Sequence, residues 1–219
     1  MPAPALYMRT LATIGVCLIW LSLAVRLLFD IQWALGQGAG VAYGVIKFLA
    51  AFTTCANIFI ASIITASLTR SGSGIARVLC RPSVMARAAV YIIVMAVVFA
   101  LFLANKAVSN GLNRVVGAFL HGVNPIVYLA FWFFLGSRAV MRYSHIFIWP
   151  IPALVYFAVI LTRGRLTGSY PYPFIDPGMV GWAQVWVNSA VVLGLFFVVG
   201  AFVTAVRGRE TRAALHNPT

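Results

Sequence analysis

Two short polar clusters interrupt an otherwise apolar chain, and their residue types are those that covalent acyl transfer requires. The first is Phe52-Thr53-Thr54-Cys55-Ala56-Asn57, in which Asn57 lies one helical turn from both threonines. The second is His121-Gly122-Val123-Asn124-Pro125, in which Asn124 at i+3 falls on nearly the same helical face as His121. A threonine hydroxyl is a poor nucleophile until a base removes its proton, and a neutral imidazole can take it. Burial away from water favours that neutral form. The side-chain amide of Asn57 or Asn124 has the donor an oxyanion needs. The same residues have a plainer use. Threonines in membrane helices bond back to the carbonyl four residues earlier, and Asn and His hold helices together. Spacing leaves both readings open, with Thr53 as catalytic nucleophile, the adjacent Thr54 as its alternative, and His121 as base.

A third polar stretch runs from Arg163 to Gly178 and contains Tyr170-Pro171-Tyr172-Pro173-Phe174-Ile175-Asp176-Pro177. Alternating Pro and Tyr favours a stiff, extended segment whose rings sit at a membrane interface. It serves either as an aromatic anchor or as a lid over a cavity opening outward, with Tyr172 and Asp176 on the ligand side. Asp176 and Asp30 are the carboxylates available to orient His121. Trp33, Trp182 and Trp186 read as interfacial belt residues without a chemical role.

The elements that position these clusters are set by composition. Of 219 residues, 63% are apolar and 9% charged, and the mean hydropathy of +0.98 lies far outside the range of soluble domains. Apolar runs extend from Leu11 to Phe29, Phe48 to Leu68, Ala88 to Leu103, Val115 to Gly136, Ile146 to Leu161 and Val185 to Val206. About 20 apolar residues cross a bilayer as a helix, so these runs predict one all-α domain over residues 1–219, a bundle of six transmembrane helices. The first run contains Arg26 and lacks a small-residue cleavage site, which predicts an uncleaved helix. Pro150 and Pro152 predict a kink in the fifth run, tolerable where the freed carbonyls meet protein or water. Counted along continuous helices from Ile46 and Val115, Thr53 and His121 lie about 10 Å and about 9 Å below the same surface.

The net charge of +13 does not point to nucleic acid, because the basic residues are scattered over short loops. Ten of the sixteen Lys and Arg fall on the side holding both termini, which predicts that both termini are cytoplasmic. Ser71-Gly72-Ser73-Gly74 lacks the Gly-Lys-Ser/Thr of a phosphate loop and reads as a flexible basic connector. Cys17, Cys55 and Cys80 have no paired spacing, and the chain has no dinucleotide, metal or haem motif. Neither a metal nor another cofactor is expected, and the expected partners are membrane lipids and a lipid ester rather than a protein.

Phe52-Thr53 with Asn57, His121 with Pro125 and Trp132, and the Leu166-Thr-Gly-x-Tyr-Pro-Tyr-Pro-Phe174-Ile-Asp176-Pro177 stretch together resemble a bacterial six-helix membrane protein family distantly related to the androgen-induced protein family. The eukaryotic relatives are hydrolases of fatty acid esters of hydroxy fatty acids, with an intramembrane threonine and a histidine. The resemblance implies that Thr53 is the nucleophile and His121 its base. The chain departs from the bacterial pattern at Phe131, where an acid often precedes the tryptophan. The competing expectation is a lipid or small-molecule binding or transport protein with a polar cavity between the second and fourth helices.

Overall fold

The computed structural model describes residues 3–69, 71–104, 111–136, 139 and 141–216. Six segments are long and apolar enough to cross a membrane: Leu6–Gly36, Phe52–Thr69, Pro82–Leu103, Leu112–Phe134, His145–Thr167 and Pro177–Arg207. The described residues form an all-α bundle, and the protein is a multi-pass integral membrane protein. Helices satisfy their own backbone groups, which hydrocarbon demands.

The first span belongs to helix α1 (Ala3–Gly36), which is followed by an unexpected helix, α2 (Gly40–Ala50). Gly38 and Gly40, at φ 70° and 78°, turn the chain back on itself. The two helices then touch backbone to backbone, since a Cβ on Gly44 would stand 2.6 Å from the Cα of Ile31. Extended Ala51 (φ −84°, ψ 126°) breaks the apolar run before α3 (Phe52–Thr69) begins. No proline or polar residue marks this break. It overturns the depth count for Thr53, which is the second residue of a helix rather than two turns into one.

Helix α4 (Gly74–Leu79) replaces the flexible connector expected there, with the Ser73 hydroxyl accepting the Ala76 amide at 3.1 Å as an N-cap. Helix α5 (Pro82–Val98) starts a turn and more before the predicted run and includes Arg87. Its Ala88 and Ala89 are fully buried, small residues that let neighbouring backbones approach where lipid gives no hydrophobic driving force. Helix α3 packs on α5, and so does the last span.

Two of the spans contain a π-helical turn. Helix α5 runs into one at Phe99–Leu103, and Phe119–Val123 joins α6 (Leu112–Ala118) to α7 (Asn124–Phe134). Pro125 has no N–H for the carbonyl of His121 and its ring crowds that oxygen, so the helix widens by a π turn. The widened turn separates His121 from Asn124, which simple helical spacing places on one face.

Pro150 and Pro152 interrupt the fifth span as expected, between α8 (His145–Ile148) and α9 (Ile151–Thr167). At the break the Tyr91 hydroxyl donates to the Trp149 carbonyl at 2.7 Å. Helix α9 closes on left-handed Gly168 at φ 69°. A 3₁₀ turn at Pro173–Ile175 leads into α10 (Pro177–His216), whose first turn is broken at Gly181 (φ 76°, ψ 154°).

At one end of the bundle Arg9 donates to the carbonyl of Leu68 at 3.1 Å, and Arg207 donates to that of Trp132 while lying 4.1 Å from its ring centre. Cationic donors at the C-terminal ends of α3 and α7 suit the helix dipole. Of the residues counted for orientation, Arg70, Lys106 and Arg138 lie outside the described residues.

Candidate functional site

A cavity of about 420 Å³ lies among α3, α5, the two π turns, α9 and α10, under the segment from Tyr172 to Ile175. Its wall is predominantly apolar, from Val94, Phe99, Phe157 and Phe196 among others, and its aliphatic hydroxyls are those of Thr53 and Ser189. This differs from the polar cavity between the second and fourth spans that the sequence suggests. Helix α9 stands off from the backbones around it and is held by side chains, which leaves the space. Leu154 on α9 and Trp186 on α10 line the cavity while 46% and 58% exposed on the molecule's flank. The cavity therefore opens sideways between these two helices.

Thr53 and His121 both face this cavity, although they come from separate spans. Thr53, like Thr54 and Thr204, differs from six other threonines of the bundle in that its hydroxyl is not spent on the helix backbone. Thr10, Thr13, Thr65, Thr69, Thr162 and Thr167 each donate to the carbonyl four residues earlier, and Ser189 in the cavity wall does the same to Val185 at 2.6 Å. Because the chain is extended at Ala51, Thr53 has no helical carbonyl four residues back, and its hydroxyl has no hydrogen-bond partner among the described residues. Thr54, 2% exposed, is not part of the wall.

His121 lies flat against Phe99, ring centres 3.7 Å apart and 12° from parallel, so each π turn supplies one ring of the stack. Its Nδ1 sits 3.1 Å from the Met95 sulfur, and its Nε2 has no hydrogen-bond partner among the described residues. Neither expected acid engages it. Asp30, 2% exposed, binds Arg26 through both oxygens at 2.9 Å and Lys47 at 3.3 Å. Lys47 in turn lies 3.5 Å from the ring centre of Trp33. Asp176 accepts the Gly178 amide at 2.9 Å and caps the start of α10, outside the cavity wall.

The two asparagines stand behind the wall. The Asn57 amide donates to the carbonyls of Thr53 at 2.8 Å and Leu120 at 3.2 Å, tying together the backbones that carry Thr53 and His121. Its oxygen accepts from Asn124 at 2.8 Å, and Asn124 also donates to Ser22 at 3.0 Å. Those amide hydrogens are spent within α3 and between helices, so neither asparagine presents a donor to the cavity.

Sequence reasoning passed over Tyr156, which meets Tyr172 at the N-terminus of α3. The Phe52 amide donates to the Tyr172 oxygen at 2.8 Å and to the Tyr156 oxygen at 3.1 Å, while the Tyr156 hydroxyl donates to the Ala50 carbonyl at 2.8 Å. These bonds satisfy the ends exposed by the break at Ala51. Burial raises the Tyr172 pKa above its ordinary value, so this hydroxyl keeps its proton at neutral pH. Tyr170 packs against α9, where a Cβ on Gly164 would collide with its ring. Tyr172, Phe174 and Ile175 of the Tyr-Pro segment line the cavity. Trp186, read as a belt residue, also lines the cavity, and Trp182 stacks with Arg165 at 4.6 Å.

No family model, curated protein or solved structure matches this chain.

Proposed function

We propose that this protein is an intramembrane hydrolase of fatty-acyl esters, with Thr53 as nucleophile and His121 as base. The observation that carries the reading is an unspent threonine hydroxyl and an open imidazole nitrogen in the wall of one apolar cavity that opens toward lipid. An ester reaches the cavity between α9 and α10 and lays its acyl chain against the apolar wall. Thr53 Oγ1 attacks the carbonyl carbon as its proton passes to His121 Nε2, and the resulting imidazolium gives that proton to the departing alcohol. Water then attacks the acyl-threonine, its proton returning through His121 to Thr53, and the fatty acid leaves. Met95 and Phe99 fix the imidazole by packing, the part an acid plays in many triads. The threonine and the histidine are also what the resemblance to relatives of the androgen-induced protein family implies, and the Tyr-Pro stretch is part of that resemblance. On this reading the protein resides in a bacterial inner membrane with both termini cytoplasmic.

The test is hydrolysis of a fluorogenic fatty-acyl ester by the purified protein in detergent. Wild type is expected to turn it over, and Thr53→Ala and His121→Ala to lose turnover while remaining folded. Equal rates in all three proteins would overturn the assignment. The absence of an acid behind His121 favours a second reading, a lipid-binding protein without turnover, which predicts acyl binding to all three and hydrolysis by none.

A further inference from the structure

The polar groups at the N-terminus of α3 allow one more role to be assigned, and it rests on the reading of the cavity as an acyl-ester site. Four groups meet there: the Phe52 amide, the Ala50 carbonyl and the hydroxyls of Tyr156 and Tyr172. The single Tyr156 proton is committed to Ala50 at 2.8 Å. The Tyr172 oxygen accepts from Phe52 at 2.8 Å and faces the Tyr156 hydroxyl as acceptor at 3.4 Å, beyond ordinary hydrogen-bond length, while its own proton has no acceptor among the described residues. A hydroxyl proton is thus left over in the cavity wall, beside the residue that precedes Thr53.

We propose that the Tyr172 hydroxyl is the hydrogen-bond donor to the carbonyl oxygen of the bound acyl group, and to the oxyanion formed when Thr53 attacks. The expected asparagine donors are spent behind the wall, while Ser189 is committed to Val185 and Tyr156 to Ala50. Among the described hydroxyls of the wall, Tyr172 is the one that combines an unspent proton with proximity to Thr53. Its oxygen receives the Phe52 amide, which polarises the O–H bond and strengthens the donor. The ligand class follows: a long-chain acyl ester or acid, with one carbonyl at the α3 end and the chain along the apolar wall.

The role can be read without turnover, from the infrared band of a carbonyl-labelled (¹³C) long-chain ester bound to Thr53→Ala and to Thr53→Ala with Tyr172→Phe. The second variant should fold, because the Phe52 amide keeps the Tyr156 oxygen as acceptor. The expected result is a band at lower wavenumber on Thr53→Ala than in detergent alone, with that shift lost when Tyr172 becomes Phe. An equal shift in both proteins, no shift in either, or no binding of the ester would overturn the proposal. The hydrolase reading fails separately: a Tyr172-dependent shift with no hydrolysis by wild type leaves the donor in place and removes the catalysis.

Discussion

Thr53 and Thr54 are neighbours in sequence with opposite surroundings, and substitution should separate them. Thr54→Ala removes a hydroxyl that does not reach the cavity, so hydrolysis should stay near the wild-type rate. His121→Ala should lower kcat by about 10²- to 10⁴-fold, the usual worth of a positioned base. Steady-state kinetics on both variants checks the pair, and loss of activity in Thr54→Ala with Thr53→Ala active would reverse the assignment. Asn57→Ala should act through position, because it unties the Thr53 and Leu120 carbonyls. Interhelical hydrogen bonds in membranes are worth about 0.6 kcal/mol on average and up to about 1.7, so a small fall in thermal stability should accompany a fall in kcat. The residue types of the site were legible in the sequence, since polar groups in apolar runs are few and costly. Their roles were less so. Which way Asn124 points depends on the π turn, and the break at Ala51 is what leaves Thr53 without a helical carbonyl one turn back.

Irregularities in the helices, more than the helices themselves, build the cavity. Pro125→Ala would restore an N–H for the His121 carbonyl and let the π turn relax toward an α-helix. Rotation of His121 away from Phe99 should follow, so hydrolysis is expected to fall while thermal stability holds or rises. Measuring both separates this outcome from simple unfolding, in which the two fall together. Gly164→Ala should act on the Tyr-Pro segment: its Cβ would collide with the Tyr170 ring, and overpacking of this kind costs about 1–3 kcal/mol where it cannot relax. A displaced ring frees the segment carrying Tyr172, and faster proteolytic nicking between Gly168 and Asp176 is the expected sign. Apolar runs long enough to cross a bilayer revealed the six spans, and Pro150 and Pro152 revealed the interruption before α9. Helix α2 escaped because residues on both sides of Ala51 are apolar, and composition does not distinguish one helix from two that turn on an extended residue.

The bundle as a whole determines how a ligand arrives. Helices α1, α3, α5 and α7 pack through small residues, as where a Cβ on Gly15 would meet Val127 at 2.6 Å, whereas α9 is held at a distance by side chains such as Tyr156. Among the described residues, this loosely packed side is the side on which the cavity opens. Ala190 lies exposed on α10 in the cavity wall, on a different helix from Thr53 and His121, so a large ring at position 190 should stand in the opening. For Ala190→Trp in lipid vesicles, the KM for a long-chain ester dissolved in the bilayer should rise while kcat changes little. A short, water-soluble ester, which can reach the cavity past the Tyr-Pro segment, should be hydrolysed at the wild-type rate. The contrast between substrates matters because a ring that merely filled the cavity would slow both equally, and that result would remove the lateral route while leaving Thr53 and His121 in place.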